Sequence, residues 1–113
     1  MIKIYHNPRC SKSRLGLALL EESGKEFEII KYLEDKLSSK TLTSIISKLG
    51  IKPIDLVRKN EAIWKSDYKN KTLTDQELIE AMVKHPKLIE RPIVINGDKA
   101  VIGRPTEKIL EII

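Results

Sequence analysis

The first third of the chain constrains the fold most. Ile2-Lys3-Ile4-Tyr5 alternates apolar and polar as a strand does, and Phe27 to Tyr32 reads as a second short strand. Between them, residues 11–23 carry helical spacing, with Leu15, Ala18, Leu19 and Glu22 forming a largely apolar stripe. Ser11 suits a helix N-cap, and Ser23-Gly24 suits a stop. Strand, helix and strand within about thirty residues make a βαβ unit, whose strands run parallel.

The middle of the chain is helical. Leu42, Ile45, Ile46 and Leu49 recur at i, i+3, i+4 and i+7, with Gly50 placed as a C-cap. Pro53 opens a short segment through Leu56 and Val57. Residues 61–71 have no clear period. Thr74 with Glu77 forms a capping box ahead of Leu78, Ile79, Met82 and Val83, and His85-Pro86 closes that helix. Strands then return: Pro92 to Ile95, a turn at Asn96-Gly97, and a partner strand at Ala100-Val101-Ile102. Pro105 opens a final helix with Ile109, Leu110 and Ile112. The expectation is one α/β domain over 1–113, with a mixed four-stranded sheet and a helical insertion at about 38–86. Without the insertion, the order β-α-β, β-β-α is that of thioredoxin.

Composition narrows the function classes. Hydrophobic residues make up 41% and charged residues 33%, the balance of a globular protein. The start lacks the roughly 7–15-residue apolar stretch of a signal peptide, and no run reaches the roughly 20 apolar residues of a membrane helix. A cytoplasmic protein is expected. The net charge of +5 favours anionic partners. Basic residues are interspersed with acids and aromatics are few, which argues against nucleic acid. His6, Cys10 and His85 lack the spacing of a zinc site.

Chemistry concentrates in His6-Asn7-Pro8-Arg9-Cys10-Ser11-Lys12-Ser13-Arg14. The lone cysteine stands between a strand and a helix, where N–H groups and the helix dipole favour a thiolate. Arg9, Lys12, Arg14 and a protonated His6 would each favour the anion too. A helix N-terminus also suits a tetrahedral oxyanion. Ser13 occupies the second position of a C-x-x-C pair, so no internal disulfide can form and any redox cycle needs an outside thiol.

This loop resembles the N-P-x-C-x-x-S-R loop of the glutaredoxin-like arsenate reductase family. Leu56 to Asn60 resembles its L-R-K-N segment, Arg91 to Val94 its R-P-I-V segment, and Arg104-Pro105 its late R-P. The resemblance runs over nearly the whole chain. It implies a thioredoxin-like fold and reduction of arsenate to arsenite, with Cys10 as nucleophile. Glutathione and glutaredoxin would serve as reductants, with no bound cofactor. It further implies Arg58, Arg91 and Arg104 as the oxyanion arginines, His6 as the histidine that keeps the cysteine ionised, and Pro92 as a cis-proline. Arginine suits that task, since its planar fork of donors keeps its charge. Ser11-Lys12 stand where the arsenic-resistance branch carries Gly-Thr, and Arg9 adds charge at the mouth. Two other functions compete. One is a general glutathione-dependent thiol-disulfide reductase. The other is a redox-linked regulator of RNA polymerase, against which the missing second cysteine counts. A monomer is the default.

Overall fold

The computed structural model describes all residues, Met1–Ile113. Its chain divides into two compact units, one made of Met1–Asp35 with Arg91–Ile113 and the other of Lys36–Glu90.

The first unit holds the sheet. Strand β1 (Ile2–Tyr5) leads to helix α1 (Ser11–Ser23) and strand β2 (Phe27–Ile30). Strands β3 (Ile93–Asn96) and β4 (Lys99–Ile102) complete it in the order β2-β1-β3-β4. β1 pairs parallel with β2 and antiparallel with β3, and β3 pairs antiparallel with β4. The architecture is the expected mixed α/β sheet, and the fold is thioredoxin-like. Ile4 lies opposite Val94, and both are fully buried with Ile2, Leu20 and Ile109 in one apolar cluster. Leu17, Leu19, Phe27 and Val101 pack around it.

Four local expectations need correction. Helix α1 starts from Cys10 as its N-cap rather than Ser11. Its inner face is Ser13, Gly16 and Leu20, while Leu15 is 51% exposed. Apolar spacing points to the wrong stripe because the inner face needs a small residue and a hydroxyl, as the site below shows. The hairpin loop is Gly97-Asp98, since Asn96 still pairs with Lys99. Gly97 has φ 63° and Asp98 a negative φ, the combination of a type II′ turn. The last helix is a 3-10 segment, Thr106–Glu111, packed on α1 and β4.

The second unit is helical. Helix α2 (Ser39–Leu49) buries Leu42, Ile45 and Ile46 and ends at Gly50 with φ 67°. A 3-10 turn, Pro53–Leu56, follows, then a short α3 (Ala62–Asp67) in the stretch that showed no period. Helix α4 (Asp75–Lys84) begins with the Thr74–Glu77 capping box and stops at His85. Leu56 to Arg58 runs antiparallel to Leu88 to Glu90: Arg58 N–H donates to Leu88 O at 2.7 Å and Glu90 N–H to Leu56 O at 2.9 Å. No helix is long and apolar enough to cross a membrane.

Candidate active site

The Cys10 loop is held from several sides. Asn7 is buried; its C=O accepts from Cys10 N–H at 3.0 Å, and its Oδ1 accepts from Arg9 N–H at 3.0 Å. That side chain closes the turn as an Asx motif does. Arg14 Nη1 donates to Pro8 O at 2.9 Å, so this cation braces the loop instead of facing the sulfur.

Ser13 is the hinge of the arrangement and is fully buried. Its Oγ accepts from Asn7 N–H at 3.0 Å and lies 2.7 Å from His6 Nδ1. Its own N–H is among the groups that favour the Cys10 anion. His6 is buried, and its pKa is lowered, first by that burial and then by Lys31 and Arg14. A neutral imidazole accepts at Nδ1, which fits a Ser13 hydroxyl that donates there while accepting from Asn7. The structure thus places His6 against Ser13, with the neutral ring as the form that this hydrogen bond fits.

Cys10 is half-buried, and its pKa is lowered. Burial is the largest influence and works against the anion. It is outweighed by the Ser13 N–H, by the hydrogen bond and charge of Arg91, and by the Lys12 N–H. Arg104 Nη2 stands at the edge of hydrogen-bond reach, 3.6 Å from Sγ. Its Nε donates to Arg91 O at 2.8 Å. Two arginines far apart in sequence thus meet at one sulfur, and one is braced on the other's backbone.

Pro92 explains how that brace is placed. The Arg91–Pro92 peptide is cis, and so is Arg104–Pro105, which sequence reading takes only as a helix opener. A Cβ added at Gly16 or at Gly103 would lie 2.9 Å from Pro92 Cγ. The proline ring fits only because both flanking positions are glycine. Gly103 N–H donates to Pro92 O at 2.9 Å, which sets Arg104 next to Arg91.

Arg58 lies in the helical unit. Its Nη1 donates to Glu90 Oε1 at 2.6 Å and its Nε to Glu61 Oε2 at 3.4 Å. The structure brings together Cys10, His6, Ser13, Arg91, Pro92 and Arg104, and it engages Arg58 with carboxylates of its own unit.

The model of the ArsC family matches residues 5–112. The chain belongs to the ArsC family. It is 51% identical over 112 residues to a Haemophilus influenzae protein named arsenate reductase, covering 97% of both chains. It is 47% identical to the Escherichia coli protein named uncharacterized protein YfgD, covering 99% of this chain and 96% of that one. A solved structure titled arsenate reductase from Vibrio cholerae superposes with a TM-score of 0.94 at 45% identity, covering 99% and 97% of the two chains.

For this ArsC-family chain, two site residues escaped sequence reading. Asn7 stands out in the sequence only as a loop residue, although an Asn two residues before a turn N–H is itself an Asx signal. Gly16 carried no signal, because its neighbour Pro92 is remote in sequence. No group of three or more His, Cys, Asp or Glu side chains is placed to hold a metal ion.

Proposed function

We propose that the chain reduces arsenate to arsenite with Cys10 as its single nucleophile. The observation that carries the reading is the convergence of Arg104 on the Cys10 sulfur, with Arg104 braced on Arg91 O at 2.8 Å. Donors fixed before the substrate arrives cost little reorganisation when charge develops, and they strengthen a nearby oxyanion and a thiolate alike. Membership of the arsenate reductase family supports arsenate as the oxyanion.

In this reading the Cys10 thiolate attacks the arsenic, and an oxygen leaves as water to give an arsenic–sulfur adduct. Glutathione supplies the second sulfur. Two electrons pass from the two sulfurs to arsenic, arsenite leaves, and Cys10 is left in a mixed disulfide with glutathione. A glutaredoxin thiol then removes the glutathione and returns Cys10 as thiolate. Arg91 and Arg104 hold the oxyanion, and Arg58 is carried over from the family motif as the third arginine. Ser13 and His6 position the sulfur, and Pro92 positions Arg91. The reading places the protein in the cytoplasm as a monomer, with no bound cofactor, and treats the helical unit as an insertion in one thioredoxin-like domain.

The test is coupled arsenate reduction with glutathione, glutaredoxin and NADPH-linked regeneration. Wild-type turnover that vanishes in Cys10→Ser is the expected result, with Arg58→Ala the next variant. No turnover by a folded protein whose Cys10 still alkylates rapidly at neutral pH would move the assignment to general thiol-disulfide exchange.

A further inference from the structure

We infer that Arg9 and Lys12 select the thiol that regenerates Cys10, favouring one that carries carboxylates over a neutral or cationic one. This rests on the reading that Cys10 ends its cycle as a mixed disulfide.

The chain has one cysteine, so no internal thiol can release that disulfide. An outside thiolate must attack the outer sulfur of Cys10–S–S–R. The S–S bond breaks, Cys10 leaves with the electron pair as a thiolate, and the attacker and R depart as a new disulfide. Electrons and atoms balance with no further reactant. The attacker is an anion approaching the exposed side of Cys10, so the uncompensated charges there affect its rate.

The basic side chains around Cys10 fall into two sets. Arg14 is held by Pro8 O and Arg104 by Arg91 O, and Arg91 acts on the sulfur itself. Arg9 and Lys12 differ. Their backbones flank the sulfur: Arg9 N–H donates to Asn7 Oδ1 at 3.0 Å, and Lys12 lies in the first turn of α1, which Cys10 caps. Both residues are exposed, and neither forms an ion pair with any carboxylate. Two exposed cations thus stand at the rim of the nucleophile with no carboxylate of the chain paired to them. They are too exposed to build a tight oxyanion cage, but suited to a larger anion that brings its own carboxylates. At separations near a Debye length, about 8 Å at physiological salt, two such charges shift the rate roughly twofold for each added negative charge.

The experiment uses the full chain with Cys10 converted to its methyl mixed disulfide, Cys10–S–S–CH3. Release of the free Cys10 thiol, read by the mass of acid-quenched protein, is followed with glutathione, 2-mercaptoethanol and cysteamine, and each rate is divided by the thiolate concentration. The ratio of glutathione to cysteamine within one variant cancels any change in Cys10 as leaving group. That ratio should exceed one in the wild type and fall at about 0.5 M salt, where screening is short-ranged. It should fall roughly threefold or more in Arg9→Gln/Lys12→Gln and survive in the charge-conserving Arg9→Lys/Lys12→Arg. A wild-type ratio near one, or a ratio unchanged in the glutamine double variant, would overturn the inference; the latter would assign the preference to Arg91 and Arg104. The salt series needs no variant to fold. No arsenate is present, so loss of the arsenate reading and loss of this one are separately visible.

Discussion

Arg104 and Arg58 are both proposed oxyanion arginines, yet the two units hold them by opposite means. In the sheet unit, Arg104 is braced by a main-chain carbonyl, which fixes direction without adding a negative charge. In the helical unit, Arg58 is clamped by the carboxylates of Glu61 and Glu90, which fix direction and cancel the charge. A carbonyl-held guanidinium is ready for an anion. A carboxylate-held one must exchange partners first, and that exchange is where an anion's affinity can be tuned.

The largest effect should come from breaking the carbonyl-held side. Arg91→Ala and Arg104→Ala should each lower kcat/KM for arsenate by roughly 10²–10³, the loss seen when one preorganised oxyanion donor is removed. The two variants should separate in the thiol titration. Arg91 supplies both a hydrogen bond and charge to Cys10. Its loss should therefore move the midpoint of iodoacetamide alkylation upward by more than loss of Arg104, which sits 3.6 Å from the sulfur. Equal titrations in wild type and Arg91→Ala would show that the thiolate does not depend on Arg91.

Next in size are the glycines, which the two units need for different reasons. Gly16 is needed for space: an added Cβ would lie 2.9 Å from Pro92 Cγ and 3.2 Å from Ile109 Cδ1. Gly50 is needed for conformation, with φ 67° and open space around it. Gly16→Ala should cost about 1–3 kcal/mol by overpacking and also shift the Cys10 alkylation midpoint, because Pro92 carries Arg91. Gly50→Ala should cost about 1–2 kcal/mol and leave that midpoint in place. Denaturant unfolding and alkylation on the same samples check both. A Gly16→Ala protein with an unmoved midpoint would uncouple the proline wedge from the site.

These glycines also mark what the sequence could and could not reveal. The βαβ start, the hairpin and the capped helices were legible because periodicity and caps are local properties. The Cys10 loop was legible because residue types that stabilise a thiolate cluster within nine positions, His6 to Arg14. The inner face of α1 was not. It is chosen by Pro92 and by the loop, so Gly16 and Ser13 face inward while Leu15 stays out. Arg91 and Arg104 came only from family resemblance, since nothing local distinguishes them from surface arginines. Arg14, expected to act on the thiol, turned to Pro8 O.

His6 gives a smaller effect, read by pH. Burial first, then Lys31 and Arg14, lower its pKa, so the folded state binds its proton less readily than the unfolded chain. The unfolded chain takes up that proton below about pH 6.5. Stability contributed by the neutral ring is thus complete above that pH and lost as pH falls through the window down to the lowered folded value. His6→Asn should flatten this acid slope in denaturant unfolding, and should not move the thiol midpoint as far as Arg91→Ala does. An unchanged slope would mean that other groups govern acid sensitivity.

The smallest effect should come from the clamp in the helical unit. Arg58 and Glu90 are partly exposed, with side-chain exposures of 21% and 25%, so their ion pair is screened by water. Glu90→Gln keeps the shape and removes one negative charge beside Arg58. Its cost in unfolding should be about 0–1 kcal/mol, and the Cys10 titration, governed by Ser13, Arg91 and Lys12, should stay where it is. If Arg58 takes part in oxyanion binding, releasing one carboxylate should lower KM for arsenate while Arg58→Ala raises it. Opposite movements of KM in the two variants would show that Glu90 competes with substrate for the same guanidinium. Unchanged KM in both would strike Arg58 from the site and leave Arg91 and Arg104 as its only arginines.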